Sequence, residues 1–232
     1  MKKIIIAATA ALALSMSAMA QDLSFIVNLG YQGSNLANID SGNAKAELLS
    51  GFRGGVALDW TFTDLGAAQL SLQPGVYFSM KGAKLASTKS EGDKAVNVVR
   101  QLNYIDIPIL VNARFGVADH TNVFVNAGPY LGFGINGTDK VTKGTETKSS
   151  SDIDLFKDKV YNRFDWGLHI GAGVEFNHFM LGLGYQLGIQ DISKGVNMTS
   201  GELSQKIEDW ARSTFAEKTN NSNFFVTVGY RF

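Results

Sequence analysis

From Phe164 to Gln190 every second residue belongs to one of two distinct sets. One phase reads Phe164, Trp166, Leu168, Ile170, Ala172, Val174, Phe176; the other reads Asp165, Gly167, His169, Gly171, Gly173, Glu175. After Asn177-His178 the alternation resumes, with Phe179, Leu181, Leu183, Tyr185, Leu187 and Ile189 set against Met180, Gly182, Gly184, Gln186, Gly188 and Gln190. Successive strand side chains point to opposite faces, so the stretch predicts a hairpin with one apolar face and one small, polar face. The same period recurs in eight segments, roughly 23–33, 51–63, 69–82, 100–116, 122–136, 160–176, 179–191 and 223–232. In the second, Phe52, Val56, Leu58, Trp60 and Phe62 oppose Arg53, Ala57, Asp59 and Thr61. In the fourth, Ile105, Ile107, Ile109, Val111, Ala113 and Phe115 oppose Tyr104, Asp106, Asn112 and Arg114. The last sets Phe224, Val226, Val228, Tyr230 and Phe232 against Phe225, Thr227, Gly229 and Arg231.

The connections alternate as well. Three are short (TDLGAA, VADHT and NH), while 34–50, 83–99, 137–159 and 192–222 are long and polar. Short turns on one side and long loops on the other are the asymmetry of an outer-membrane barrel, whose short turns face the periplasm. The predicted fold is therefore all-β: a closed, antiparallel, eight-stranded transmembrane β-barrel with long extracellular loops. In a bilayer every backbone polar group needs an internal partner, and a closed sheet supplies it. Up-and-down strands bring Trp60, Phe62, Phe115, Phe176, Phe179, Tyr230 and Phe232 to the short-turn end. Tyr31, Phe52, Phe78, Phe133, Phe164, Trp166 and Phe224 go toward the other end, giving the two aromatic girdles expected at headgroup level. A soluble lipocalin-type barrel has the same period with the faces exchanged. Its outer surface would need Lys, Glu and Thr, whereas the polar phase here is largely glycine, which suits a narrow lumen.

Composition narrows the reading further. Lys2-Lys3, the apolar run Ile4 to Leu14 and Ala18-Met19-Ala20 read as a secretory signal peptide over 1–20, leaving 21–232 as one barrel domain. Without Lys2 and Lys3, the 21 basic residues become 19 against 21 acidic ones, which gives no electrostatic case for nucleic acid. The chain has no cysteine, so a disulfide framework, thiolate metal sites and a cysteine-linked lipid anchor are excluded. Beyond the leader no apolar run reaches the ~18 residues of a spanning helix. Pro74, Pro108 and Pro129 all fall in strands, where a residue without an N–H predicts local bulges.

The segments LNYIDIPILVNARF (102–115), NAGPYLGFGI (126–135), FDWGLHIGAGVEF (164–176), LGLGYQLGIQDI (181–192) and NFFVTVGYRF (223–232) resemble the PorT-type outer-membrane β-barrel family. Pro108 and Pro129 stand where such proteins carry Ile-Pro and Gly-Pro-Tyr elements. The resemblance implies an integral outer-membrane protein of about eight strands. Its name-giving member takes part in secretion, and no catalytic residues come with it. The end of the chain, with Tyr230 and terminal Phe232, partly resembles the C-terminal signal read by the barrel-assembly machinery, which implies that machinery as a partner during biogenesis.

Candidate chemistry is sparse. The lumen phase carries Arg53, Asp59, Lys81, Asp106, Arg114, Arg163, Asp165, Glu175 and Arg231, with His169 among them. Mixed signs in a confined interior point to a structural network that fills the barrel; a selective narrow channel is the alternative. His169 and Asp165 share a face, but four residues along a strand is ~13 Å, too far for a direct bond. His120 and His178 fall in turns. No catalytic residue, cofactor or metal ligand is assigned: there is no acid–base cluster and no paired histidine spacing, and Asp152, Asp154 and Asp158 lack a recognised Ca²⁺-loop pattern. In 192–222, Thr199 and Glu202 form a capping-box pattern, and Leu203, Ile207, Trp210 and Phe215 follow at approximate helical spacing. That stripe either packs across the barrel mouth or docks an envelope protein partner through Trp210. Three functions follow: a non-enzymatic scaffold or accessory component in the lipid of the outer membrane, which fits best, a ligand-binding or transport barrel, and a barrel enzyme acting on lipid or peptide.

Overall fold

The fold is seen in a computed structural model that describes residues 23–37, 44–87, 96–143, 146–150, 162–192 and 220–232. Alternating apolar residues form long strands: β1 Leu23–Ala37, β3 Leu49–Asp64, β4 Gln69–Ser87, β5 Val96–Ala118, β6 Thr121–Lys143, β8 Phe164–Phe176, β9 Phe179–Gly188 and β10 Asn220–Arg231, with the short β2 Ala44–Glu47 and β7 Glu146–Ser150. Neighbours follow the order β4-β3-β1-β10-β9-β8-β6-β5, and β5 pairs back onto β4. All ladders are antiparallel, and the ring includes the first and last strands, with Val27 opposite Tyr230. The eight long strands thus form a closed barrel, whose ring leaves no strand edge unpaired. Ile170 is 62% and Leu183 61% exposed, whereas Arg53 and Asp106 are almost wholly buried. The apolar phase is outside and the polar phase inside, which overturns the soluble alternative.

Three corrections concern the strand ends. Segments 34–50, 83–99 and 137–159, expected as loops, are in part strand: β4 runs to Ser87, β5 starts at Val96, β6 reaches Lys143, and β7 folds back on it with Ser150 opposite Asp139. β2 continues the track of β3 beyond Leu48, pairing Glu47 with Lys84, one residue out of step with Arg53 opposite Ser79. Strand β8 begins at Phe164, which leaves Arg163 just outside it. The physical reason is that a strand beyond an apolar band needs only its ladder, and Val96, Val98, Val99, Thr138, Val141 and Thr142 are β-branched. The 23 residues of β5 reach about 75 Å of strand, against roughly 33 Å for the 10 of β9. One wall is therefore much taller than the other, and the excess stands at the long-loop end.

The expected proline bulges are corrected as well. Register shifts occur between Thr61 and Thr63, Asn103 and Tyr104, and Gly116 and Ala118, none of them at a proline. Beside each proline the ladder skips two pairs and resumes in the same register. On the β3 side of Pro74 it jumps from Ala57↔Gly75 to Trp60↔Leu72. Beside Pro108 it jumps from Pro74↔Ile109 to Tyr77↔Asp106, and beside Pro129 from Pro108↔Tyr130 to Val111↔Ala127. A missing N–H removes bonds on one side only, so no extra residue is needed to absorb it.

Glycine in the lumen phase has a steric role. A Cβ at Gly173 would lie 2.4 Å from the Phe124 ring, and one at Gly184 would lie 2.2 Å from that of Phe225. These positions stay bare so that the two rings can cross the bore. Gly82, at φ 135°, brings β4 against β1 and donates its N–H to Ser34 Oγ at 2.9 Å. At the short-turn end, Asn177 N donates to His120 O and Arg231 N to His178 O, both at 2.8 Å, tying the turns to one another and to the last strand.

Candidate functional site

The interior is stratified. Nearest the long-loop end, Arg53 and Lys81 meet Asp106 and Asp165. Arg53 Nη1 lies 3.1 Å from Asp106 Oδ2, and Lys81 Nζ lies 2.9 Å from Asp106 Oδ1 and 3.2 Å from Asp165 Oδ2. Asp165 also accepts from Tyr130 Oη at 3.1 Å and Asn221 Nδ2 at 2.9 Å, and Arg53 donates to Ser79 and Gln186. Each cation is held between aromatic rings: Arg53 between Tyr77 and Phe225 (4.5 and 4.7 Å), Lys81 between Tyr104 and Tyr130 (4.8 and 4.6 Å). Two positive and two negative groups balance, and ring faces supply the remaining attraction. Leu102 stands opposite Lys81 in the ladder, and Ala83, Leu102 and Ile192 are fully buried.

The middle layer is a waist of Ile26, Ala57, Tyr77, Phe124 and Met180. A cavity of about 60 Å³ remains beside it, reached by Arg53, His169 and Phe225. His169 packs against the Phe225 ring at 5.2 Å, and its Nδ1 has no hydrogen-bond partner. It sits opposite Gly128 and Gln186 in the ladders, with no carboxylate among those neighbours. A general base needs an orienting acid and a reachable substrate, and this buried imidazole has neither in view.

The layer at the short-turn end joins Arg114 and Arg231 to Asp59 and Glu175. Arg114 and Arg231 both engage Asp59 Oδ2, the latter at 3.0 Å. Glu175 is held more loosely, 3.5 Å from Arg114 Nε and 3.6 Å from Arg231 Nη1. Arg114 further donates to Gln69 at 3.2 Å. Beneath this layer a cavity of about 470 Å³ is bounded by Arg114, Glu175 and Arg231, by Ser24, Thr61 and Thr63, and at its rim by Phe62 and Phe232.

The fold thus sorts the lumen-phase residues into two groups of four: Arg53, Lys81, Asp106 and Asp165 in one, Asp59, Arg114, Glu175 and Arg231 in the other. His169 stands apart in the waist. Arg163 lies half-buried at the approach to β8, where its carbonyl accepts from Gly134 N at 2.7 Å. Neutral members were missed from the sequence: Ser79, Tyr130, Gln186 and Asn221 are buried in the upper network. Their lumen phase was legible, but polarity without charge gave no reason to single them out. Buried Arg100 was missed because it lies at the very start of the expected segment. Tyr230 and Phe232 meet edge to face at 4.7 Å, next to Phe179 and Phe25. Leu203, Ile207, Trp210 and Phe215, the aspartates at 152, 154 and 158, and the leader over 1–20 all lie outside the described residues. Among the described residues no three His, Cys, Asp or Glu side chains gather as a metal site.

Residues 19–194 match the model of the family described as outer membrane protein beta-barrel domain. Among solved structures, the attachment invasion locus protein Ail of Yersinia pestis is 16% identical, covering 91% of this chain and 99% of its own, at a TM-score of 0.36. Neisserial surface protein A is 11% identical, covering 90% and 97%, at a TM-score of 0.39. No curated protein matches the sequence.

Proposed function

The chain belongs to the outer membrane protein beta-barrel domain family, and from that premise we propose that it is a non-enzymatic, internally plugged barrel serving as a scaffold or accessory component of the envelope. The observation that carries this reading is the filled lumen. Two charge-balanced clusters and the waist of Ile26, Ala57, Tyr77, Phe124 and Met180 fill the bore, leaving a cavity of about 60 Å³ at the waist, and so narrow a passage resists ions. Export by the 1–20 leader and recognition of the Tyr230–Phe232 end by the assembly machinery belong to this proposal. The PorT-type likeness of the segments from Leu102 onward supports a secretion-related place for it. In this reading Trp210 anchors a protein partner. Trp210→Ala should leave barrel stability within about 0.5 kcal/mol and abolish recovery of that partner.

Two measurements test the proposal. Planar-bilayer recordings of the purified barrel should show no ionic current. Cross-linking in native outer membranes, with a tag inserted after Ser150 past the end of β7, should recover a stoichiometric partner beyond the assembly machinery. Steady conductance, or a barrel that cross-links to nothing, overturns the scaffold. The open cavity at the short-turn end favours a second reading, a ligand-binding barrel.

A further inference from the structure

Glu175 is 4% exposed, yet its Oε2 has no hydrogen-bond partner, and its nearest polar contacts are 3.5 Å from Asn122 Nδ2, 3.5 Å from Arg114 and 3.6 Å from Arg231. Asp59, at the same level, takes the close contacts of both guanidinium groups. A buried carboxylate left with so little is costly unless something else donates to it. Glu175 lines the cavity of about 470 Å³, a volume in the range of small-molecule sites. Arg231, the most open of the four charged side chains, lines it too.

We propose that this periplasmic vestibule binds a zwitterionic phosphoethanolamine group, its primary ammonium donating to Glu175 and its phosphate accepting from Arg231. A simple anion entering here meets Glu175 and the rim carboxylate of Asp64, and a simple cation meets two arginines. A group carrying both signs a short distance apart matches a roof whose charges cancel. The ammonium must be primary, because Glu175 Oε2 accepts no hydrogen bond from the described residues and a quaternary ammonium has none to give. Phe62 and Phe232 bound the same cavity while facing outward at the lower girdle. Its rim therefore lies level with lipid headgroups, where phosphatidylethanolamine would present this group. The same chemistry in a soluble phosphoethanolamine is the other source. The inference does not depend on whether the lumen conducts or a protein partner exists.

The test uses the full barrel in maltoside detergent, following the backbone amide resonances of Asn177, His178 and Arg231. Three probes are titrated: dihexanoyl phosphatidylethanolamine, O-phosphoethanolamine and phosphocholine. Saturable shifts are expected with a phosphoethanolamine probe, at least about tenfold tighter than with phosphocholine, and about tenfold weaker in Glu175→Gln. Saturation by the lipid alone assigns the site to the membrane; equal saturation by O-phosphoethanolamine assigns it to a soluble ligand. No saturable shift, equal response to phosphocholine, or a folded Glu175→Gln variant that binds as well as wild type overturns the proposal. Folding of the variant is read from its heat-modifiable mobility. If it fails to fold, the headgroup preference of the wild-type barrel decides.

Discussion

The upper and lower clusters hold the same charges, two of each sign, and are built to different ends. In the upper one every cation is flanked by rings and carboxylates, and Asp165 collects Lys81, Tyr130 and Asn221 on one oxygen. In the lower one the bonds concentrate on Asp59, leave Glu175 loosely held, and end at an open cavity. Charge balance alone therefore does not make a plug. The upper cluster is sealed because aromatic side chains close around it; the lower has hydroxyls and water-accessible space where the rings would be.

Removing Lys81 should break this comparison most severely. Lys81→Ala leaves Asp106 and Asp165 facing each other with Arg53 alone, and should cost about 3–5 kcal/mol in urea unfolding from lipid vesicles. Restoring neutrality with Lys81→Met plus Asp165→Asn should recover part of that loss. Overfilling the bore comes next. Gly184→Val puts a Cβ 2.2 Å from the Phe225 ring, which is sandwiched on Arg53, and should destabilise by about 1–3 kcal/mol. A pair of substitutions sharpens the contrast within the lower cluster, and the second has the smallest effect. Asp59→Asn removes close contacts from two arginines and should cost about 3 kcal/mol, while Glu175→Gln should cost about 1 kcal/mol. Equal losses in the same unfolding assay would mean that Glu175 is held as firmly as Asp59.

The two-residue period made the barrel legible, because a bilayer outside and a crowded bore inside demand opposite side chains at successive positions. It placed Arg53, Asp106 and Asp165 on one face without saying which of them meet. That depends on the stagger of strands far apart in sequence: Lys81 reaches Asp165 across 84 residues, and Asp59 reaches Arg114 across 55. No local pattern encodes the stagger. Strand ends were illegible for another reason. Past the apolar band each phase of β5 mixes valine with polar residues (Val96 and Val98 with Arg100, Val99 with Asn97 and Gln101), so the alternation fades although the ladder continues to Val96 opposite Lys143. Arg163 fell in the lumen phase by counting back from Asp165, but regular strand begins only at Phe164.

The three prolines carry one more consequence. Pro74, Pro108 and Pro129 stand on adjacent strands, and the interruptions beside them fall along one oblique line through the tall wall. A sheet wrapped into so narrow a cylinder must curve hard, and stitches omitted in neighbouring rows give the fabric a crease along which it folds. The crease lies inside the closed ring, with Arg53 opposite Ser79 above it and Trp60 opposite Leu72 below, so the wall bends there without parting from its neighbours.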